Sequence, residues 1–178
     1  MGVLASVALA VIVVGCATVQ PSPSPTAAEL NAETIASALI DFARTPDAPS
    51  FADVPFAPDV ALALGGKVRL HRAAEELLDP NAWLIDPGPD GFRERVGPFS
   101  ALDVSADAGA VTISTGRHGT CTAADEPVAP PPELSTLQVV SIQPDRRVAV
   151  TCIQWWAVDI FITDSGRIAG VDLDLDAP

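Results

Sequence analysis

The segment "WWAVDIFITDSGRIAGVDLDL", Trp155 to Leu175, constrains the fold more than any other stretch of the chain. Two β-rich runs flank Ser165-Gly166, which sits where a tight turn belongs, so the segment reads as an antiparallel hairpin. A two-residue Ser-Gly loop sets Ile162 against Ala169, Ile160 against Val171, Val158 against Leu173 and Trp156 against Leu175. Every member of that face is apolar. A slip of one residue would set Val158 against Asp172 and mix the faces, so the pattern itself selects the register. The other face is then forced. It carries Trp155, Ala157, Asp159 and Phe161 across from Asp176, Asp174, Asp172 and Gly170.

In this register Asp159 falls directly opposite Asp172, and like charges so placed are unfavourable. Something must offset the repulsion: solvent, an arginine such as Arg117, Arg146 or Arg147, a bound cation, or one raised pKa. Two readings stay open. Asp159, Asp172 and Asp174 beside Trp155 form a candidate ligand or cation site, able to hold Ca²⁺ or to run acid–base chemistry. The plainer expectation is a solvent-facing sheet surface, acidic because the whole chain is acidic. Asp172-x-Asp174-x-Asp176 lacks the glycine and the late glutamate of a calcium loop, and it alternates with leucine as a strand does. Trp155 is either a stacking platform or covered by a helix, Trp156 belongs to the core face, and Trp83 in "PNAWLID" pins the middle loop to the core.

Elsewhere the pattern is less sharp. A helix is expected near Asn31, with Asn31 as N-cap, a Leu30–Ile35 staple, and Ile35, Ala38, Leu39 and Phe42 on one apolar stripe; Thr26-x-x-Glu29 offers a competing capping box. Pro46 and Pro49 end it. "VALALGGKVRLHR" holds short β-like runs around Gly65-Gly66, "AAEELL" a short helix, and "IDPGPDG" a turn-rich loop. "ALDVSA" and "AVTIST" flank Asp107-Ala108-Gly109 as a second hairpin. "VAPPPEL" cannot join a ladder, because its prolines lack N–H donors. "LQVVSIQ", "VAVTCIQWWAVDIFIT" and "RIAGVDLDL" are the best strands. Helix first and antiparallel strands after predicts an α+β domain, an N-terminal helix packed on a curved antiparallel sheet with one disulfide.

The start of the chain carries a different signal. Val3 to Val14 holds no charged residue, is too short for the roughly 20 apolar residues of a spanning helix, and suits the apolar region of an export signal. Val13-Val14-Gly15-Cys16 resembles the lipobox of bacterial lipoproteins. The resemblance implies cleavage before Cys16 and a thioether-linked diacylglycerol on it, with several acyl chains (palmitate among them) giving the stable membrane anchor that one chain would not. The signal lacks Lys or Arg before its apolar core. Met1-Gly2-Val3-Leu4-Ala5-Ser6 also fits a myristoylation pattern, which leaves the apolar run unexplained. The resulting organisation is a signal peptide over 1–15, a lipid anchor and Pro/Ser tether over 16–30, and a single domain over 31–178. The tether favours extended, polyproline-like chain.

Composition narrows the partners. The formal net charge is −13, which argues against nucleic acid and against a peripheral grip on anionic lipid heads. With Cys16 assigned to lipid, Cys121 and Cys152 remain, and outside the membrane such a pair is expected as a disulfide. Chain-entropy reasoning gives about 3–4 kcal/mol for a loop of that size. A zinc site from His118-x-x-Cys121 with Cys152 and His71 is the weaker alternative, lacking a paired C-x-x-C. No standard catalytic motif is present, no catalytic or metal residue is assigned and no cofactor is expected. His118 in "GRHGTC" reads as a loop residue beside the disulfide rather than a base. The later half, from "VGPFSAL" through the Trp pair to "VDLDL", resembles a group of uncharacterised lipid-anchored proteins of high-GC bacteria; this implies an extracytoplasmic, lipid-held location and no activity. The helix-then-sheet order is similar to that of cystatin-like folds, which cup ligands between helix and sheet. The expected function is a non-enzymatic module binding a small ligand or envelope protein, against an enzyme or cation site on the acidic hairpin face.

Overall fold

The computed structural model describes residues 27–86, 95–108, 111–122, 126–145, 152 and 155–175. The expected signal, Cys16, most of the tether, Arg146, Arg147 and Asp176 lie outside them. Nine elements organise the described chain: α1 (Ala27–Arg44), α2 (Ala48–Ala52), β1 (Phe56–Leu64), β2 (Lys67–Ala73), α3 (Pro98–Ala108), β3 (Val111–Thr115), β4 (Gln138–Pro144), β5 (Trp156–Ile162) and β6 (Ile168–Leu175). Short 3-10 turns cover Ala74–Leu78, Pro80–Trp83 and Pro132–Leu134. The strands form one six-stranded sheet in the order β2-β1-β6-β5-β4-β3.

The sheet is mixed, which corrects the expected all-antiparallel arrangement. β1 and β6 run parallel, pairing Ala61 with Gly170, Leu62 with Val171 and Ala63 with Asp172; the other neighbours are antiparallel. Hairpins leave a local turn signal. The β1–β6 contact joins opposite ends of the domain and leaves none.

The C-terminal hairpin keeps its expected parity by a device the pattern did not reveal. Its loop has three residues, Asp164-Ser165-Gly166, closed by Thr163 N–H donating to Arg167 C=O at 2.9 Å, with Gly166 at φ 76°. A three-residue loop with a left-handed glycine shifts the register by one. Ile162 therefore pairs with Ile168 instead of Ala169, and an irregularity beyond Phe161 restores the pairing of Phe161 with Gly170, Asp159 with Asp172 and Val158 with Leu173. Gly65-Gly66, at φ 59° and 74°, turns β1 into β2 as expected.

Two helices depart from the expectation. α1 begins at Ala27, so Asn31 lies inside the helix rather than capping it, and the segment expected as tether loses Ala27–Leu30 to the helix. "ALDVSA" is helical within α3 rather than a strand. Pro98 opens α3 at a position where its missing N–H costs nothing. Phe99 then meets Phe42, with ring centroids 5.6 Å apart, and Leu102, one turn on, joins the buried cluster.

One buried cluster draws Ile35, Leu39 and Phe42 of α1 and Leu102 of α3 together with Val60, Val140, Ile142, Val158, Ile160 and Val171 of the sheet. Trp83 is fully buried in it, donating from Nε1 to Leu77 C=O at 2.8 Å, as its expected pinning role requires. On alternate positions the strands point the other way, and that second face carries Ala61, Ser141, Asp159, Phe161 and Asp172.

Candidate functional site

The second face is not solvent-facing. Asp159 and Asp172 are 0 % exposed, which corrects the expectation of an open acidic surface. The cover is the proline-bearing segment between β3 and β4. Its prolines cannot supply ladder N–H groups, so it crosses as irregular chain and offers carbonyls instead. Leu134 packs with Ala61 and Phe161, and it fits because Gly170 has no side chain: a Cβ there would stand 2.6 Å from Leu134 Cδ1.

Arg117, just past β3, ties this strap to the sheet. Its Nε donates to Val128 C=O at 3.2 Å and its Nη2 to Ala129 C=O at 3.3 Å. Its Nη1 lies 2.9 Å from Asp159 Oδ2 and 2.8 Å from Asp172 Oδ2. The guanidinium carbon also lies 5.5 Å from the centre of the Phe161 ring. Of the offsets considered for the facing aspartates, the arginine is thus present. A planar fork with fixed donors suits this position better than a lysine would. Gly66 N–H, in the β1–β2 turn, adds contacts of 3.2 and 3.3 Å to the Asp172 carboxylate.

His118 completes the cluster. It is a loop residue three positions before the bridged Cys121, as expected, but it is buried, at 1 % exposed. Its Nδ1 stands 2.6 Å from Asp159 Oδ2 and its Nε2 3.1 Å from Asp174 Oδ2. Burial pushes the imidazole toward its neutral form, but the hydrogen bonds and charges of Asp159 and Asp174 overcome this and raise its pKa from 6.5 to about 9. At neutral pH both ring nitrogens therefore carry protons and donate. Asp172 is raised above the ordinary carboxylate range by burial, with Arg117 and Gly66 N–H opposing and the charge of Asp159 adding. Asp174 is held below it, chiefly by the hydrogen bond from His118, against burial.

Trp155 is 3 % exposed and its ring centroid lies 5.3 Å from that of His118, so it lines the cluster rather than an open stacking surface. Cys121 and Cys152 are joined, with Cα atoms 5.6 Å apart. Cys121 follows His118 by three positions and Cys152 precedes Trp155 by three, so the bridge fastens the strap to the entry of β5 at the cluster. That bond consumes both thiols of the zinc alternative. His71, the other proposed ligand, sits apart on β2, with Nδ1 2.8 Å from Asp59 Oδ2. Among the described residues no group of three or more His, Cys, Asp or Glu side chains is placed to hold a metal ion.

The structure thus brings Asp159, Asp172, Asp174 and Trp155 together and adds Arg117 and His118, the residues that decide what the carboxylates can do. Both sit in "GRHGTC". The adjacency of two bases was visible in the sequence; that they answer the facing aspartates of a distant hairpin was not. Chemically the cluster is a closed set of charges. Two open clefts lie elsewhere, one of about 500 Å³ bounded in part by Phe51, Phe56 and Arg167, another of about 620 Å³ bounded in part by Arg72, Glu76 and Arg95. Compared with known proteins, the chain matches no family model, no curated protein and no solved structure.

Proposed function

We propose that this chain is a lipid-anchored, extracytoplasmic module of a bacterial envelope that binds a small ligand or a protein partner and turns over no substrate. The observation that carries the non-enzymatic part is the closure of the buried cluster. Asp159 Oδ2, Asp172 Oδ2, Asp174 Oδ2 and both His118 nitrogens are engaged with one another or with Arg117 beneath the strap. A substrate would have to displace the strap to reach them. General acid–base work needs a group within hydrogen-bond reach of the reacting atom. In this reading the acidic residues lock the fold and leave recognition to the outer surface, where an overall charge of −13 favours a cationic partner. The N-terminal helix lies across a curved sheet, a placement supported by the burial of Ile35, Leu39 and Phe42.

The location rests on the Val13-Val14-Gly15-Cys16 resemblance and is supported by the Cys121–Cys152 bond, which persists in oxidising compartments. The full chain expressed in a bacterium should lose Met1 to Gly15 and gain diacylglycerol on Cys16, read by intact mass. The Cys16→Ser form should leave the membrane fraction. Retention of that form on the membrane overturns the anchor, and turnover abolished by Asp159→Asn overturns the non-enzymatic reading.

A further inference from the structure

Among the described residues, four buried side-chain atoms have no hydrogen-bond partner: Ser141 Oγ, Gln143 Oε1, Trp155 Nε1 and Asp159 Oδ1. All belong to the strap-covered face, and three belong to residues less than a tenth exposed, namely Ser141, Asp159 and Trp155. Their placement is convergent. Ser141 and Asp159 are direct cross-strand partners, so their side chains leave neighbouring strands side by side. Gln143 is the next same-face residue along β4 and lies diagonal to Asp159, within reach of its long side chain. The Trp155 ring reaches the cluster through His118, whose Nδ1 is bonded to the other oxygen of the same Asp159 carboxylate. Ala157, between Trp155 and Asp159 on that face, is the smallest side chain of the three.

We propose that these four groups form an internal hydration site, where ordered water bonded to Asp159 Oδ1 bridges β4, β5 and the Trp155 indole. The chemistry of the set selects the occupant. Asp159 Oδ1 and Gln143 Oε1 accept, Trp155 Nε1–H only donates, and the Ser141 hydroxyl does either. Water matches this, donating to the two acceptors and accepting from the indole and the hydroxyl. A metal cation does not, because the indole would face it with a proton and a calcium site needs six to eight oxygens. An anion would meet the Asp159 carboxylate. Leaving four such atoms unpaired in the interior carries the desolvation cost of each, which is why buried water accompanies unsatisfied polar groups. The site also gives Asp159 its remaining role: one oxygen accepts from the N–H groups of Arg117 and His118, the other orders solvent under the strap.

The test is a high-resolution crystal structure of the full chain in detergent with its disulfide intact, solved with and without added calcium. The expected result is a density peak about 2.7–3.2 Å from Asp159 Oδ1 and from at least two of the other three atoms, unchanged by calcium. A Ser141 hydroxyl bonded directly to Asp159 Oδ1 with no peak beside them overturns the proposal. A peak ringed by oxygens at about 2.3–2.6 Å that strengthens with calcium also overturns it and reinstates a cation site. In solution, the Trp155 indole proton should show magnetisation transfer from a long-lived bound water. The Ser141→Ala form should retain that transfer, since three partners remain, and loss of bound water from the wild-type spectrum refutes the site.

Discussion

The two faces of this sheet are buried by opposite means. On one, residues of α1 and α3 share an apolar cluster with residues of the strands. On the other, a proline-bearing strap is held by Arg117 and His118 against Asp159, Asp172 and Asp174. Apolar packing tolerates small shifts because it has no direction. The charged face does not, since each partner removed strands another buried charge. The same contrast recurs between the histidines. His118 lies between Asp159 and Asp174 in the interior, whereas His71 lies between Asp59 and Glu133 at the surface, its side chain 48 % exposed. Two carboxylates flank each ring, and burial alone separates a structural lock from a solvated contact.

The sharpest way to break the comparison is to cut the charged face at its centre. Asp159→Ala leaves Arg117 and His118 buried without their shared acceptor and is expected to cost about 3–5 kcal/mol in chemical denaturation. Leu39→Ala on the apolar face should cost about 2–5 kcal/mol. The two should differ in salt response: loss of the apolar residue leaves the salt dependence of unfolding unchanged. If Asp159→Ala costs under about 1 kcal/mol, comparable to a surface pair, the strap is not held by charge.

Reducing the disulfide comes next. A sequence separation of 31 gives about 3–4 kcal/mol by loop-closure entropy, and the release should fall on the strap. Reduction followed by hydrogen exchange should expose the amides around Arg117 and His118 before those of α1. Simultaneous exposure of both faces would show that the bond serves the whole domain.

Acidity offers a milder probe. The folded His118 pKa of about 9 exceeds its ordinary 6.5, so the protonated ring stabilises the fold fully below pH 6.5, and this contribution is lost as pH rises to about 9. The free energy of unfolding should fall across that window by on the order of 1–3 kcal/mol, lowering the melting temperature with it, and His118→Asn should flatten the fall. Asp174, held low, acts oppositely in acid: its contribution is lost as pH drops through its folded pKa, below 3.8. An imidazole signal for His118 titrating near 6.5 would contradict the network. The smallest effect belongs to the surface histidine. His71→Ala should change stability by about 0–1 kcal/mol, and a larger loss would erase the distinction between the two sites.

Local periodicity by itself determined the C-terminal hairpin, its register from Trp156 to Ile160 and the meeting of Asp159 with Asp172, because a period of two leaves little freedom once one face is apolar. It also determined that "VAPPPEL" stays out of the ladder, and cysteine arithmetic pointed to Cys121–Cys152. Other features needed the assembled chain. The parallel β1–β6 contact joins segments with no turn between them, so no local signal announces it. "ALDVSA" carried too short an apolar run to separate helix from strand; in the folded chain it continues α3, whose Phe99 meets Phe42 and Trp83 and whose Leu102 joins the buried cluster. The nature of the site was decided last and most remotely. Asp172 and Asp174, alternating with leucine, read the same whether the face meets water or a strap. Only the tertiary structure placed Arg117 and His118 over them, since charge pairing across distant segments depends on proximity in space and leaves no periodic mark on the chain.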